Sequence, residues 1–215
     1  MKTTGAHSGA CGLTRGEVLM VIAILALLAF VWLGWVANQR EKAQRTSCLG
    51  NLTIISLGFR LFASDHDDKF PWQIPTLQSG SMEFATSPQV FRHFVAASNE
   101  LSTPKVLACP ADKQRERVSQ FHKVTEKSIS YFVGLDAPEM DYEALLSGDR
   151  NIVGGTTNGA VRVLTPKTSV RWSKQIHHHQ GNVALADGSG ARLDDIALQS
   201  HIQQRTQRVI RLAIP

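Results

Sequence analysis

From Val18 to Ala37 the chain runs VLMVIAILALLAFVWLGWVA without a charged residue. As a helix rising about 1.5 Å per residue, this run is about 30 Å long, the thickness of a bilayer's hydrocarbon core. Such a helix is apolar all round, so it needs lipid or other apolar helices around it, and a fully soluble chain is not expected. A secretory signal peptide has a shorter apolar core followed by a small-residue cleavage site. Here Trp32 and Trp35 stand near the end of the run and Arg40, Glu41 and Lys42 follow it. That order fits a membrane-anchored helix that continues into water. The 215 residues, 43% of them apolar, leave room for one ordinary domain beside the anchor and exclude disorder of the whole chain.

Beyond the run, apolar residues recur at helical spacing through Leu49, Leu52, Ile55, Phe59 and Phe62, until Pro71 and Pro75 close the pattern. One helix is expected from about Leu13 to about Ser64: residues 13–37 as the membrane helix, 38–66 as its continuation, and 67–215 as a globular head. In the head, Pro88–Ala97 reads as a short helix. Ser128–Gly134, Ala160–Leu164, Ser169–Ser173 and Asn182–Ala186 read as strands bounded by Gly, Asp and Pro. Asp194 and Asp195 open a final helix to about Leu212, with Arg205, Arg208 and Arg211 toward the end that the dipole favours. The expected class is α+β, with the second half of the long helix packed on a small antiparallel sheet and a C-terminal helix completing the head.

The formal net charge of +5 is spread among acids rather than gathered in a basic stripe with aromatics, so no nucleic-acid partner is expected. The phosphate-binding, dinucleotide-binding, nucleophile-elbow and zinc-protease motifs are all missing, and the chain is not expected to be an enzyme. His177, His178 and His179 suggest a metal, and on a strand the first and third share a face. Zinc takes a third or fourth protein ligand, and neither Cys nor a further His stands at a short spacing. His177 is instead expected in a loop, hydrogen-bonded near the Asp187–Gly188 turn. Asp65, Asp67 and Asp68 begin like a calcium loop, but Lys69, Phe70 and Thr76 occupy positions where that motif needs acid, Gly and Glu.

At the edge of the apolar run stands Gly12-Leu13-Thr14-Arg15-Gly16-Glu17. This pattern resembles the cleavage and methylation signal of type IV prepilins and type II secretion pseudopilins. The resemblance implies that a prepilin peptidase cuts after Gly12 on the cytoplasmic side, removing a leader of residues 1–12, and that the new terminus at Leu13 is N-methylated. Glu17 becomes the fifth residue, whose carboxylate pairs with the amino terminus of a neighbouring subunit and sets the register of a filament. Where the family usually has Phe first and apolar residues third and fourth, this chain has Leu13, Arg15 and Gly16.

Later segments extend the likeness. Ser47-Cys48-Leu49-Gly50-Asn51-Leu52, the Asp-rich turn Asp65–Pro71, and Cys109-Pro110-Ala111-Asp112 resemble segments of one bacterial branch of these pseudopilins. His177, nine residues, then Asp187-Gly188 resembles that branch's C-terminal motif. Loss of Cys11 with the leader would leave Cys48 and Cys109 as an even pair in an exported domain, where a disulfide persists; two separate buried thiols are the alternative. Major pseudopilins bind calcium in a C-terminal loop, which Asp187, Asp194 and Asp195 would supply if the likeness reaches that far. Otherwise Asp187 makes a turn and Asp194 caps a helix, and no cofactor is needed. The implied function is structural: a pilin-like subunit of a type II secretion pseudopilus or related filament, anchored once in the bacterial inner membrane with its head in the periplasm. Its implied partners are other pilin-like subunits, the prepilin peptidase and the inner-membrane assembly platform. The alternative is a single-pass anchored binding module that never polymerises.

Overall fold

The structure, a computed structural model, describes residues 14–138, 141–205 and 209–215. Contacts divide the chain into two compact units, Met1–Arg40 and Glu41–Pro215. Helix α1 runs over Arg15–Ser64. From Thr14 to Trp35 every residue is exposed, including Leu27, Phe30 and Val31 at 68%, 77% and 69% of their full surface. Its later turns behave oppositely: Cys48, Leu52, Ile55, Phe59, Phe62 and Ala63 form a stripe buried in the head. The spacing of three and four that marked this stripe in the sequence is the spacing of one helix face.

The head is built on a seven-stranded sheet in which every neighbouring pair is antiparallel. Its strands are β1 (Tyr131–Gly134), β2 (Leu145–Asp149), β4 (Thr156–Asn158), β5 (Val161–Leu164), β7 (Gly181–Leu185), β8 (Gly190–Leu193) and β9 (Ile210–Ala213), in the order β4-β5-β9-β1-β2-β7-β8. A second, two-stranded sheet pairs β3 (Ile152–Gly154) with β6 (Val170–Trp172). Successive residues of the large sheet point to opposite sides. Tyr131, Val133, Leu146, Ala184 and Ala213 join the core under α1, while Phe132, Leu145, Val183 and Leu212 join a second core. That second core is closed by Trp172 of β6 and by Leu198 and Ile202 of helix α3 (Asp195–Gln204). The central strands are thus buried on both faces, in a layer between the two cores.

Several expected elements shift. The helix expected over Pro88–Ala97 is α2, six residues from Phe91 to Ala96. The strand expected over Ser128–Gly134 begins at Tyr131, because Glu126–Ser128 form a 3-10 turn in front of it. The terminal helix stops at Gln204, and Ile210–Ala213 form β9 between β5 and β1. Arg205 and Arg211 therefore do not share a helix end: they pair with Asp141 and Asp136. Strand β2 reads LLSGD, whose last three residues suggest a turn, yet all five are buried. Ser147 Oγ donates to Phe132 O at 2.8 Å, and a Cβ on Gly148 would lie 2.6 Å from the Phe132 ring. Ser147 is accommodated inside the sheet because its hydroxyl is hydrogen-bonded there.

Candidate functional site

At its N-terminus α1 begins with a reciprocal cap. Glu17 Oε2 accepts hydrogen bonds from the Thr14 amide at 2.7 Å and the Thr14 hydroxyl at 2.9 Å, while the Glu17 amide donates to Thr14 Oγ1 at 3.3 Å. Thr14-x-x-Glu17 is a capping box, satisfying donors that the first helical turn leaves without partners. The sequence carried that signature beside the processing pattern. Gly12 and Leu13 lie outside the described residues.

In the head, Cys48 of α1 and Cys109 form a disulfide, Cα to Cα 5.1 Å, closing a sequence separation of 61 residues. The cross-link joins the helix to the Cys109-Pro110-Ala111-Asp112 turn, in which the Asp112 amide donates to Cys109 O at 3.0 Å. Asp112 in turn accepts two hydrogen bonds from Arg150, at 2.7 and 2.9 Å. Burial pushes the Asp112 carboxyl up, but these Arg150 bonds and charge outweigh it and hold the group below its ordinary value.

His177 closes the cluster. Its Nε2 lies 3.4 Å from Cys109 Sγ and 3.6 Å from Asp149 Oδ2, with both side chains fully buried. The expectation that His177 is a loop residue holds, but its partners are the disulfide and Asp149, not the Asp187–Gly188 turn. Nor is it on a strand: His177, His178 and His179 all adopt left-handed backbone, with φ of 54°, 47° and 61°. Residues with a Cβ pay about 1–2 kcal/mol each for this conformation. Asn151 holds the turn by donating from Nδ2 to Ser173 O, Ile176 O and Gln180 O, at 3.0, 2.9 and 3.3 Å. The three histidines diverge. His179 Nδ1 donates to Trp172 O at 3.2 Å, and His178 is exposed beside Glu41.

Burial lowers the His177 imidazole to about 4, with the Arg45 charge adding to the effect, so the ring is neutral at pH 7. Burial raises the Asp149 carboxyl to about 7 against two hydrogen bonds from Asn182, the amide at 2.7 Å and Nδ2 at 3.0 Å. Asp149 Oδ1 and His177 Nδ1 are buried without a hydrogen-bond partner. Sequence reasoning passed over Asp149 because Ser147-Gly148-Asp149 looks like a turn.

Asp187 and Gly188 sit at the other end of β7, against α1. Gly188 O accepts from Ser56 Oγ at 3.3 Å, and Arg60 Nη1 donates to Asp187 O. Asp187 Oδ1 accepts the Ser189 amide at 2.7 Å, and Gly188 takes φ +90° to complete the turn. Strand β8 continues the seam, with Arg192 Nη2 donating to Thr46 Oγ1 at 2.6 Å. These contacts give the His177-to-Asp187 spacing a physical reading. From Cys48 to Arg60, α1 advances about 18 Å. Six residues of extended chain from Gly181 to Asp187 cover about 20 Å. The motif brackets one strand whose two ends meet the same helix two to four turns apart.

The remaining acidic candidates do not converge. Asp194 caps α3 by accepting the Ala197 amide at 2.8 Å, and Asp195 Oδ1 accepts the Trp172 amide at 2.7 Å. With Asp187 bonded to Ser189, each of the three carboxylates serves a different backbone donor. Among the described residues, the ligand atoms that gather within 4.8 Å of one another belong to Cys48, Cys109 and His177.

Comparisons with protein-family models, with curated proteins and with solved structures return no match.

Proposed function

We propose that the chain is a structural, pilin-like subunit that assembles into a filament through the first half of α1. The observation that carries this reading is the exposure of the apolar helix. Large apolar side chains from Val18 to Trp35 are 44–77% exposed on the isolated chain, and each gains about 1.5–3 kcal/mol when fully buried. The helix is long and apolar enough to cross a membrane, and lipid supplies that burial before assembly. Neighbouring copies of the same helix supply it afterwards. The Gly12-to-Glu17 pattern adds a processing signal at the place where a new amino terminus would meet the Glu17 carboxylate of a neighbour. A head cross-linked to its own helix and pinned along it by the β7–β8 hairpin suits a subunit that transmits load. On this reading the anchor lies in the inner membrane, the head is exported to the periplasm, and the partners are like subunits, the processing peptidase and an assembly platform. No catalytic group is assigned.

One observation favours a second reading. The Thr14–Glu17 cap satisfies the carboxylate within its own helix, so an anchored binding module needs no neighbour at that position. Recovery of sheared filaments separates the two. The subunit reading expects chains cleaved after Gly12 in a polymer fraction that disappears when the peptidase is removed. Cleaved chains found solely as membrane-dispersed monomers support the binding module instead.

A further inference from the structure

We propose that reduction of the Cys48–Cys109 bond converts the buried cluster into a zinc site, with Cys48 Sγ, Cys109 Sγ and His177 Nε2 as its three protein ligands and water in the fourth position. The proposal concerns the head alone and stands apart from filament assembly.

Zinc binds thiolate sulfur at about 2.3 Å, imidazole nitrogen at about 2.0–2.1 Å and carboxylate oxygen at about 2.0–2.2 Å, in a tetrahedron. Those bond lengths put tetrahedral nitrogen and sulfur ligands about 3.5 Å apart. In the protein, His177 Nε2 is 3.4 Å from Cys109 Sγ, and the ligand atoms of Cys48, Cys109 and His177 all lie within 4.8 Å of one another. The nitrogen-to-sulfur edge therefore already matches a zinc tetrahedron before any metal is bound. Two thiolates on one zinc stand about 3.8 Å apart, a separation that a pair with Cα atoms 5.1 Å apart reaches by side-chain rotation alone.

The chemistry of the donors agrees with the geometry. Two thiolate sulfurs and an imidazole nitrogen are donors that zinc takes. The left-handed turn at His177–His179, held by Asn151, directs the ring at the sulfurs rather than at solvent. Strain of this kind is stored where a site needs a side chain fixed.

The step balances simply. A dithiol reductant supplies two electrons and two protons to the sulfur–sulfur bond, giving two thiols and an oxidised disulfide reductant. Zn²⁺ then displaces both thiol protons and accepts the lone pair of His177 Nε2. Cross-link and metal are alternative closures of the same loop: a disulfide where the surroundings oxidise, zinc where they reduce.

The test uses the full chain in detergent, anaerobically, with Co²⁺ as a spectroscopic probe and Zn²⁺ as competitor. A phosphine reduces the bond, taking the oxygen of water as its oxide, and is then removed. Reduced protein is expected to bind one Co²⁺, with thiolate-to-cobalt charge-transfer absorption and the intense visible bands of four-coordinate cobalt, and to lose both when Zn²⁺ is added. Untreated, oxidised protein gives neither band. His177→Ala weakens Co²⁺ binding at least tenfold. Absence of the charge-transfer band from reduced protein, equal binding by oxidised protein, or full affinity in His177→Ala would overturn the proposal. The oxidised and reduced comparison needs no substitution, so it decides the matter even if a variant fails to fold.

Discussion

The Glu17 carboxylate lies 2.7 Å from the backbone amide of Thr14, held by the helix it belongs to. This contact competes with the role proposed for Glu17 in assembly, because one carboxylate cannot give its full strength both to its own cap and to a neighbour's amino terminus. Glutamine separates the two roles. Glu17→Gln keeps an oxygen that accepts from Thr14 but removes the charge, whereas Glu17→Ala removes both. If assembly depends on the charge, both variants reach the membrane and are cleaved, and neither is recovered in sheared filaments. Recovery of Glu17→Gln at the level of the unaltered chain would assign Glu17 to capping alone.

The Cys48–Cys109 bond restricts the unfolded chain across 61 residues, a closure that contributes about 4 kcal/mol in the chain-entropy model. Cys48→Ser with Cys109→Ser is expected to lower the unfolding free energy of the head by about 4 kcal/mol, read as a fall in its denaturant midpoint. Unchanged stability in the paired variant would show that the bond adds nothing beyond the packing of α1.

Gly188 tests the β7–β8 seam. Its φ of +90° suits glycine, and an added Cβ would meet Arg60 Nη1 at 3.2 Å. A non-glycine residue in such a backbone conformation costs about 1–3 kcal/mol. Gly188→Ala should destabilise the head by that amount and increase amide exchange at the Asp187–Ser189 turn. A silent substitution would mean that the turn yields without disturbing its grip on α1.

His93 sets an acid limit. Buried on α2 with Nδ1 2.7 Å from Ser81 Oγ, its imidazole is lowered from 6.5 to about 4 by loss of hydration. A folded value below the unfolded one means stability is present above pH 6.5 and is lost as pH falls toward 4. The slope is about 1.4 kcal/mol per pH unit for each such group. His177 acts in the same sense, whereas Asp149, raised from 3.8 to about 7, contributes stability that is lost as pH rises through that range. Comparison with His93→Gln isolates the single residue. Denaturant unfolding from pH 7 to 4 should show a gentler acid loss in the variant, and parallel curves would contradict the assignment.

How far the sequence foretold these features depends on where each signal was stored. Helix α1 was legible because lipid-length apolarity and the Leu52-Ile55-Phe59-Phe62 stripe are local patterns. So was the cap of α3 by Asp194. Strand β2 was hidden because Ser147 and Asp149 find their partners on β1 and at Asn182, residues far away along the chain. Strand β9 was hidden for a related reason: Arg205 and Arg211 suggested a helix end, but their carboxylates come from Asp141 and Asp136. The disulfide followed from the family resemblance, whereas the approach of His177 to it did not, since 68 residues separate His177 from Cys109. Three left-handed histidines cannot be read from their neighbours at all.

The central claim is that this chain is processed into a filament subunit, and intact-mass measurement of protein extracted from the membrane tests it most directly. The account predicts one species that begins at Leu13, carries a single methyl group on its amino terminus and contains the Cys48–Cys109 disulfide. In cells lacking the peptidase the same measurement should give the chain from Met1, unmethylated. Protein from peptidase-containing cells that still begins at Met1 would contradict the account.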